Sequence, residues 1–297
     1  MSREIRTVVD GMSFTECPRW HEDRLWFVDF YTHRVFSAAE DGTDLRTELE
    51  IPAQPSGLGW LPDGRLLAVS ARDRRILRRE ADGSVVTHAD LSDRVPAQLN
   101  DMVVDSTTGR AWVGNFGFDL MGGEAVAPTT VYRVDPDGSV TAAADDLWFP
   151  NGSVVAGGTL LVDETFGNRI SAFDLHDDGS LGPRRDWASF GPLPTASDLE
   201  TVLGGQLVVA PDGCSPTLDA EGCLWVADAL GGRAVRVREG GEIVDAVEPG
   251  TGVYACGLGG SDGRTLYLCT APDFLEHNRR DAREAAVQAV TVDVPSA

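Results

Sequence analysis

Four oxygen-bearing side chains recur at one place in a repeating pattern: Glu16, Asn100, Asn151 and Asp212. Each stands at the head of an apolar run that leads through a turn into a second apolar run. Ser56 and Cys256 hold the same place in the two remaining copies. Two carboxylates and two amide carbonyls brought together, with room left for water, suit a hard divalent cation such as Ca²⁺ or Mg²⁺. A soft site would use Cys or His, and among these six positions only Cys256 is soft. Asn and Asp also end strands by bonding their own backbone, which accounts for any one of the four taken singly. Their coincidence at one repeat position is what points to a cation.

The elements that must carry this ring are short strands. Six segments share one plan: PRWHEDRLWFVD (18–29), GLGWLPDGRLLAVS (57–70), MVVDSTTGRAWVGN (102–115), GSVVAGGTLLVDE (152–164), LDAEGCLWVAD (218–228) and GLGGSDGRTLYLCT (257–270). Their second strands begin near Leu25, Leu66, Ala111, Leu160, Leu224 and Leu266, at offsets of 41, 45, 49, 64 and 42 residues. The one long offset contains 183–210, rich in Gly, Pro and Thr, which reads as an inserted loop. Third strands such as RVFSAAEDG and VYRVDPDGS follow, closed by Asp-Gly turns that mark hairpins. Six such units with almost no helical periodicity predict an all-β fold, a six-bladed β-propeller with a central metal-binding channel, built as one domain over 1–297. A sandwich would not sustain the period six times. AVQAVTVDVP supplies an outer strand to the sixth blade, and IRTVVDG pairs beside it to close the ring. FLEHNRRDAREAA is the one helical patch.

In a propeller the first strand of each blade lines the channel, so the six repeat positions form a ring around the axis. The second strand returns to the same end, and its exit loop rises beside that ring. These loops, with WFPNG, bring Phe30, Tyr31, His33, Phe116, Phe118, Phe166, Trp148 and Phe149 toward the site. An acidic floor under aromatic walls is the composition of a small-molecule pocket. Tyr31, His33, Phe116, Phe118, Trp148 and Phe166 are the expected substrate contacts, although packing between blades would also use such aromatics. His33 equally reads as an exposed loop residue, and Cys256 as a packed thiol with no paired His.

The chain has 25 basic and 47 acidic residues, a net charge of −22. That balance repels phosphate backbones and anionic bilayers, so neither nucleic acid nor membrane is an expected partner. All basic residues are Arg, which excludes Schiff-base chemistry on lysine. Five Cys without paired spacing (Cys17, Cys214, Cys223, Cys256 and Cys269) read as reduced thiols in a cytoplasmic protein. There is no apolar signal core and no run of 18 apolar residues. No Ser elbow, phosphate loop or dinucleotide fingerprint is present.

The segments ECPRW…LWFVDF, LNDMVVD…GRAWVGNFGFD, FPNGSVV…LLVDETFGNRI and APDGC…LDAEGCLWVADALGGRAVRV resemble the SMP-30/gluconolactonase/regucalcin-like family, in that family's order and over nearly the whole chain. The resemblance implies a six-bladed propeller holding one catalytic divalent metal, with Glu16, Asn151 and Asp212 as its ligands. Asn100 would touch the metal or the substrate. Asp212, in the PDG motif, would also be the base that activates water. The expected cofactor is one divalent ion, Ca²⁺ ahead of Mg²⁺, Mn²⁺ or Zn²⁺.

Three departures bear on the substrate and the backbone. PDGCSPTLDAEG holds about two extra residues after Asp212, Pro216 and Thr217 being candidates, to be absorbed as a bulge or a shifted pairing. Gln98 stands where sugar-lactone members often carry Arg, so Gln98 is a substrate-contact candidate. With the Phe-rich loops it favours something more apolar than an aldonolactone. Cys17 stands where the family often has Gly, which leaves the backbone less free. The expected function is metal-dependent hydrolysis of a lactone or related ester of a small molecule. The alternatives are a different biosynthetic reaction on the same scaffold, or a non-catalytic Ca²⁺- or ligand-binding propeller; fold alone does not choose between them.

Overall fold

The computed structural model describes residues 3–297. Six four-stranded antiparallel sheets succeed one another along the chain. Their innermost strands are Thr15–His21, Pro55–Trp60, Leu99–Val104, Pro150–Ala156, Pro211–Cys214 and Gly252–Gly259. These are blades one to six of the expected all-β propeller. The sixth blade takes three strands from the C-terminal part and its outermost strand, Ile5–Met12, from the N-terminal part, which pairs with Ala285–Thr291. IRTVVDG and AVQAVTVDVP thus close the ring as expected. Among the described residues no helix is long and apolar enough to cross a membrane.

Local chemistry explains the repetition. Val, Leu and Trp run consecutively through the second strands, where they suit a surface buried on both sides. Trp112, Trp225, Phe27 and Leu66 are fully buried between blades, each worth about 1.5–3 kcal/mol in transfer from water. The Asp-Gly hairpins place glycine in the left-handed region, as at Gly83 and Gly138 (φ +85° and +86°). Asp82 and Asp137 accept from the backbone N–H of Ser84 and Ser139, both at 2.9 Å. The helical patch reduces to one turn, Glu276–Arg279.

The long offset resolves into two parts. Arg185–Ser189 is the fourth strand of blade four, and 190–210 is the true insertion. The insertion holds a helical turn at Leu199–Thr201, capped by Asp198, running into a π-type segment at Val202–Gln206. The fully buried Asn168 ties it down, donating to the Pro192 and Gln206 carbonyls at 2.8 and 2.7 Å and accepting from Val208 N–H at 2.6 Å.

Every innermost strand breaks register with its neighbour near the head of the blade. The breaks fall between Glu16 and Arg19, Pro55 and Leu58, Leu99 and Met102, Pro150 and Ser153, Pro211 and Cys214, and Val253 and Ala255. A bulge of this kind re-aims one side chain, and in blades one, three, four and five that side chain is Glu16, Asn100, Asn151 or Asp212. In blade six the bulge falls at Tyr254. Sequence alignment on the second strands chose Cys256, but the first hairpin of this blade is longer. Cys256 lies further down the strand, fully buried, with its Sγ 3.7 Å from the Gly213 carbonyl.

Candidate active site

Three acids that end second strands hold the ring residues in place. Asp29 accepts from the N–H of Ser13 and Phe14 (3.1 and 2.8 Å), Glu164 from that of Trp148 (2.8 Å), and Asp228 from that of Ala210 (3.1 Å). Each clamps the chain just before it enters an innermost strand. The three strands so clamped carry Glu16, Asn151 and Asp212. Glu164 and Asp228 are themselves paired with Arg169 and Arg233, so their charges do not reach the channel unbalanced.

Glu16, Asn100, Asn151 and Asp212 form the floor of one pocket. Asn100, Asn151 and Asp212 are buried, and Glu16 is partly open to the pocket. Asn151 Nδ2 donates to Asp212 Oδ1, which leaves the Asn151 carbonyl oxygen free. Asn100 Nδ2 donates to the Pro150 carbonyl at 3.3 Å, which likewise frees its oxygen. Thr165 Oγ1 lies 3.1 Å from Asp212 Oδ1 and 2.9 Å from the Pro211 carbonyl.

Burial pushes the Glu16 carboxyl well above its usual range, and the charges of Asp212 and Asp101 add to the effect. With protein groups alone, burial likewise pushes Asp212 up to about 7, against the hydrogen bonds from Thr165 and Asn151. Neither acid has an Arg partner among the described residues. The nearby Arg19 is spent on Asp101, both oxygens of which it meets at 2.9 Å, and this pair is buried. Asp101, next to Asn100 in sequence, is therefore structural. It joins blade three to blade one beneath the floor.

This donor set fits a hard divalent cation: two desolvated carboxylates with no Arg partner among the described residues, and two amides whose N–H groups are used elsewhere so that their oxygens are free. No group of three or more His, Cys, Asp or Glu side chains among the described residues is arranged to hold a metal ion by itself. The ring supplies only two of these, and its other donors are amide oxygens.

The walls are aromatic. Phe14, Phe30, Tyr31, Tyr254 and Phe274 line one side, and Phe116, Phe149 and Phe166 the other. Gln98 lines the pocket, its Oε1 buried without a partner. Tyr31, Phe116 and Phe166 are thus brought together with the floor. Phe118 lies behind this wall, 2% exposed and 5.6–5.9 Å from the rings of Phe166 and Phe149. Trp148 packs in the same cluster without reaching the pocket lining. His33 is outside the pocket: it takes a left-handed turn conformation (φ +61°), and its carbonyl accepts from Ile51. Its role there is in the backbone.

The sequence reading missed Thr165, Phe14, Phe274 and the rim pair Arg72–Glu276 (2.8 Å), whose Arg also meets Gln54 at 2.8 Å. Leu203 and Leu207 of the insertion complete the wall. Cys17 takes φ +53°, the left-handed conformation that a glycine would adopt freely and that costs another residue about 1–2 kcal/mol. Its Sγ accepts from Leu58 N–H at 3.1 Å. Pro216 and Thr217 leave the short strand Pro211–Cys214 away from the floor and line a separate cavity at the other end of the blades, beside Arg19 and Trp60.

The chain matches the model of the SMP-30/Gluconolactonase/LRE-like region over residues 14–272. It belongs to that family. A pentonolactonase of Haloferax volcanii is 27% identical over 274 residues, covering 90% of this chain and 84% of that protein. A 6-deoxy-6-sulfogluconolactonase of Pseudomonas putida is 25% identical, covering 99% and 97%. The structure of a calcium-binding protein, regucalcin, from Agrobacterium tumefaciens superposes with a TM-score of 0.78 at 20% identity, over 100% of this chain and 96% of that one. That last likeness concerns the fold.

Proposed function

We propose that this member of the family is a divalent-metal-dependent hydrolase that opens the ring of a lactone more apolar than a sugar lactone. The observation that carries the reading is the ring of Glu16, Asn100, Asn151 and Asp212, whose two acids have no Arg partner among the described residues, at the floor of an aromatic pocket. The lactonases among its relatives support the reaction class.

Glu16, Asn151 and Asp212 would hold the cation, and Asn100 would meet it or the substrate. When bound, the ion would supply Lewis-acid polarisation of the lactone carbonyl and charge for the oxyanion that develops there. Asp212 takes a proton from the attacking water. As the ring C–O bond breaks, it returns that proton to the departing alkoxide, giving a hydroxy acid. Proton transfer by a positioned base is worth about 10²–10⁴-fold in rate. Asn151 Nδ2 and Thr165 hold Asp212 Oδ1, which leaves Oδ2 to face water.

The walls bear on the substrate. Arg72 and Gln54 are already bonded to each other, and Thr165 is tied to the floor. Gln98 is the pocket side chain with an unpaired buried polar atom. A polyol lactone would bury hydroxyls against phenylalanine, at about 1–3 kcal/mol for each left unpaired. An apolar lactone carries no such penalty.

The test is hydrolysis of a lactone panel by the full chain. Turnover that EDTA abolishes and a divalent cation restores, and that Asp212→Ala lowers by at least about 10²-fold, is the expected result. Saturable cation binding with no turnover of any lactone would replace the hydrolase reading with that of a binding protein.

A further inference from the structure

The described residues include nine large apolar side chains that are more than a third exposed. Four of them (Leu45, Val85, Val86 and Ile243) lie on or beside the outer strands of blades, and scattered exposure of that kind is ordinary. The other five are placed differently: Met121, Leu193, Val208, Leu230 and Leu275. Met121 and Leu230 belong to the pocket wall itself, at 40% and 44% exposure. Val208, at 62%, follows the wall residue Leu207, and Leu275 lies between the wall residues Phe274 and Glu276. Of these, Met121 and Leu230, from two separate loops, stand exposed at the mouth of the pocket, where they continue the apolar wall of Leu120, Leu203 and Leu207. An apolar surface that continues an apolar pocket out to solvent marks a binding surface.

The charged groups at this mouth are paired with each other. Arg72 is held by Glu276 and Gln54 at 2.8 Å each, so its charge is already balanced at the rim. The outward path from the floor runs past Leu120, Met121, Leu203, Leu207 and Leu230 and is apolar.

We propose that the rim side chains Met121 and Leu230, continuing the apolar wall of Leu120, Leu203 and Leu207, hold the hydrocarbon chain of a lipophilic lactone whose ring sits at the floor. The substrate class is accordingly a γ- or δ-lactone bearing an alkyl chain long enough to leave the pocket and lie across this rim. The proposal rests on the lactone-hydrolase reading above.

The experiment compares kcat/KM for γ-butyrolactone, γ-nonalactone, γ-dodecalactone and gluconolactone, with Ca²⁺, Mg²⁺, Mn²⁺ and Zn²⁺ supplied in turn. Each methylene that leaves water should raise kcat/KM by about fourfold until the chain passes the rim. In a Met121→Ser/Leu230→Ser double variant, the ratio of the γ-dodecalactone value to the γ-butyrolactone value should fall by about tenfold or more. Met121→Leu should keep the wild-type ratio. A flat or falling chain-length series with gluconolactone still opened would overturn the rim proposal and leave the hydrolase reading standing, as would an unchanged ratio in the double variant. No turnover of any of these lactones with any of the ions would overturn both.

Discussion

The Thr165 hydroxyl lies 3.1 Å from Asp212 Oδ1, the oxygen that also accepts from Asn151. Thr165 also lies 2.9 Å from the Pro211 carbonyl, and one hydroxyl proton serves only one acceptor at a time. The residue therefore fixes the orientation of the acid on which the proposed chemistry depends. Groups that orient a metal ligand in this way are worth about 10–100-fold in metal affinity. Thr165→Val, which keeps the shape and removes the hydroxyl, should weaken divalent-cation binding by about that factor in calorimetry. Thr165→Ser should restore it. Equal affinity in wild type and Thr165→Val would remove Thr165 from the site.

Cation binding should also be visible as stability. A ligand that binds only the folded state at a hundred times its Kd adds about 2.7 kcal/mol, so saturating Ca²⁺ should raise the melting temperature. Glu16→Gln deletes one of the two acids that burial and mutual repulsion penalise. It should abolish most of the cation-induced rise, yet melt no lower than wild type in EDTA. A Glu16→Gln protein that still gains the full rise would show that the cation binds elsewhere.

The buried Arg19–Asp101 pair makes a different prediction, because it joins two blades without touching the proposed chemistry. Removing one partner strands the other charge in the protein interior, at about 3–5 kcal/mol. Asp101→Ala and Arg19→Met should each destabilise by about that much in denaturant melts. Arg19→Met/Asp101→Ala should cost clearly less than the sum of the two. Strict additivity would mean the pair is not coupled.

Gly152 follows Asn151, and a Cβ there would lie 2.4 Å from the backbone nitrogen of Cys214 in the next blade. The obstacle is backbone, so a rotamer change cannot relieve it. Gly152→Ala should cost about 1–3 kcal/mol through overpacking and should loosen cation binding, since Asn151 and Asp212 ride on the two strands forced apart. A fully stable Gly152→Ala protein with unchanged affinity would show that the blades can separate freely.

The propeller was legible because its signals are local. Apolar strands, Asp-Gly turns and a sustained period need no knowledge of contacts, and Glu16, Asn100, Asn151 and Asp212 fell out of that period. What was not legible depends on register or on distant pairing. A longer first hairpin moved the sixth blade's contribution from Cys256 to Tyr254. Arg19 and Asp101 are far apart in sequence, and nothing in either motif announces the other. Thr165 is a single hydroxyl in a loop chosen for its Phe. His33 looked chemical, whereas its left-handed backbone gives it a turn's role.

Asp163 is fully buried, and neither of its oxygens accepts a hydrogen bond from an N–H or O–H group. Burial pushes its carboxyl well above the usual range, and the Cys214 thiol offsets only part of that while the charges of Asp212 and Asp101 add to it. The folded state thus holds this proton more tightly than the unfolded chain, in which an Asp titrates near about 3.9. The stability linked to this group is fully present below that unfolded value and is lost as pH rises through the folded one. Asp163→Asn removes the titration while keeping the shape. It should raise the melting temperature relative to wild type at pH 8 by more than at pH 5. The check is a pair of thermal melts at the two pH values in EDTA, and a difference that is the same at both would mean that Asp163 is ionised in the folded protein throughout this range.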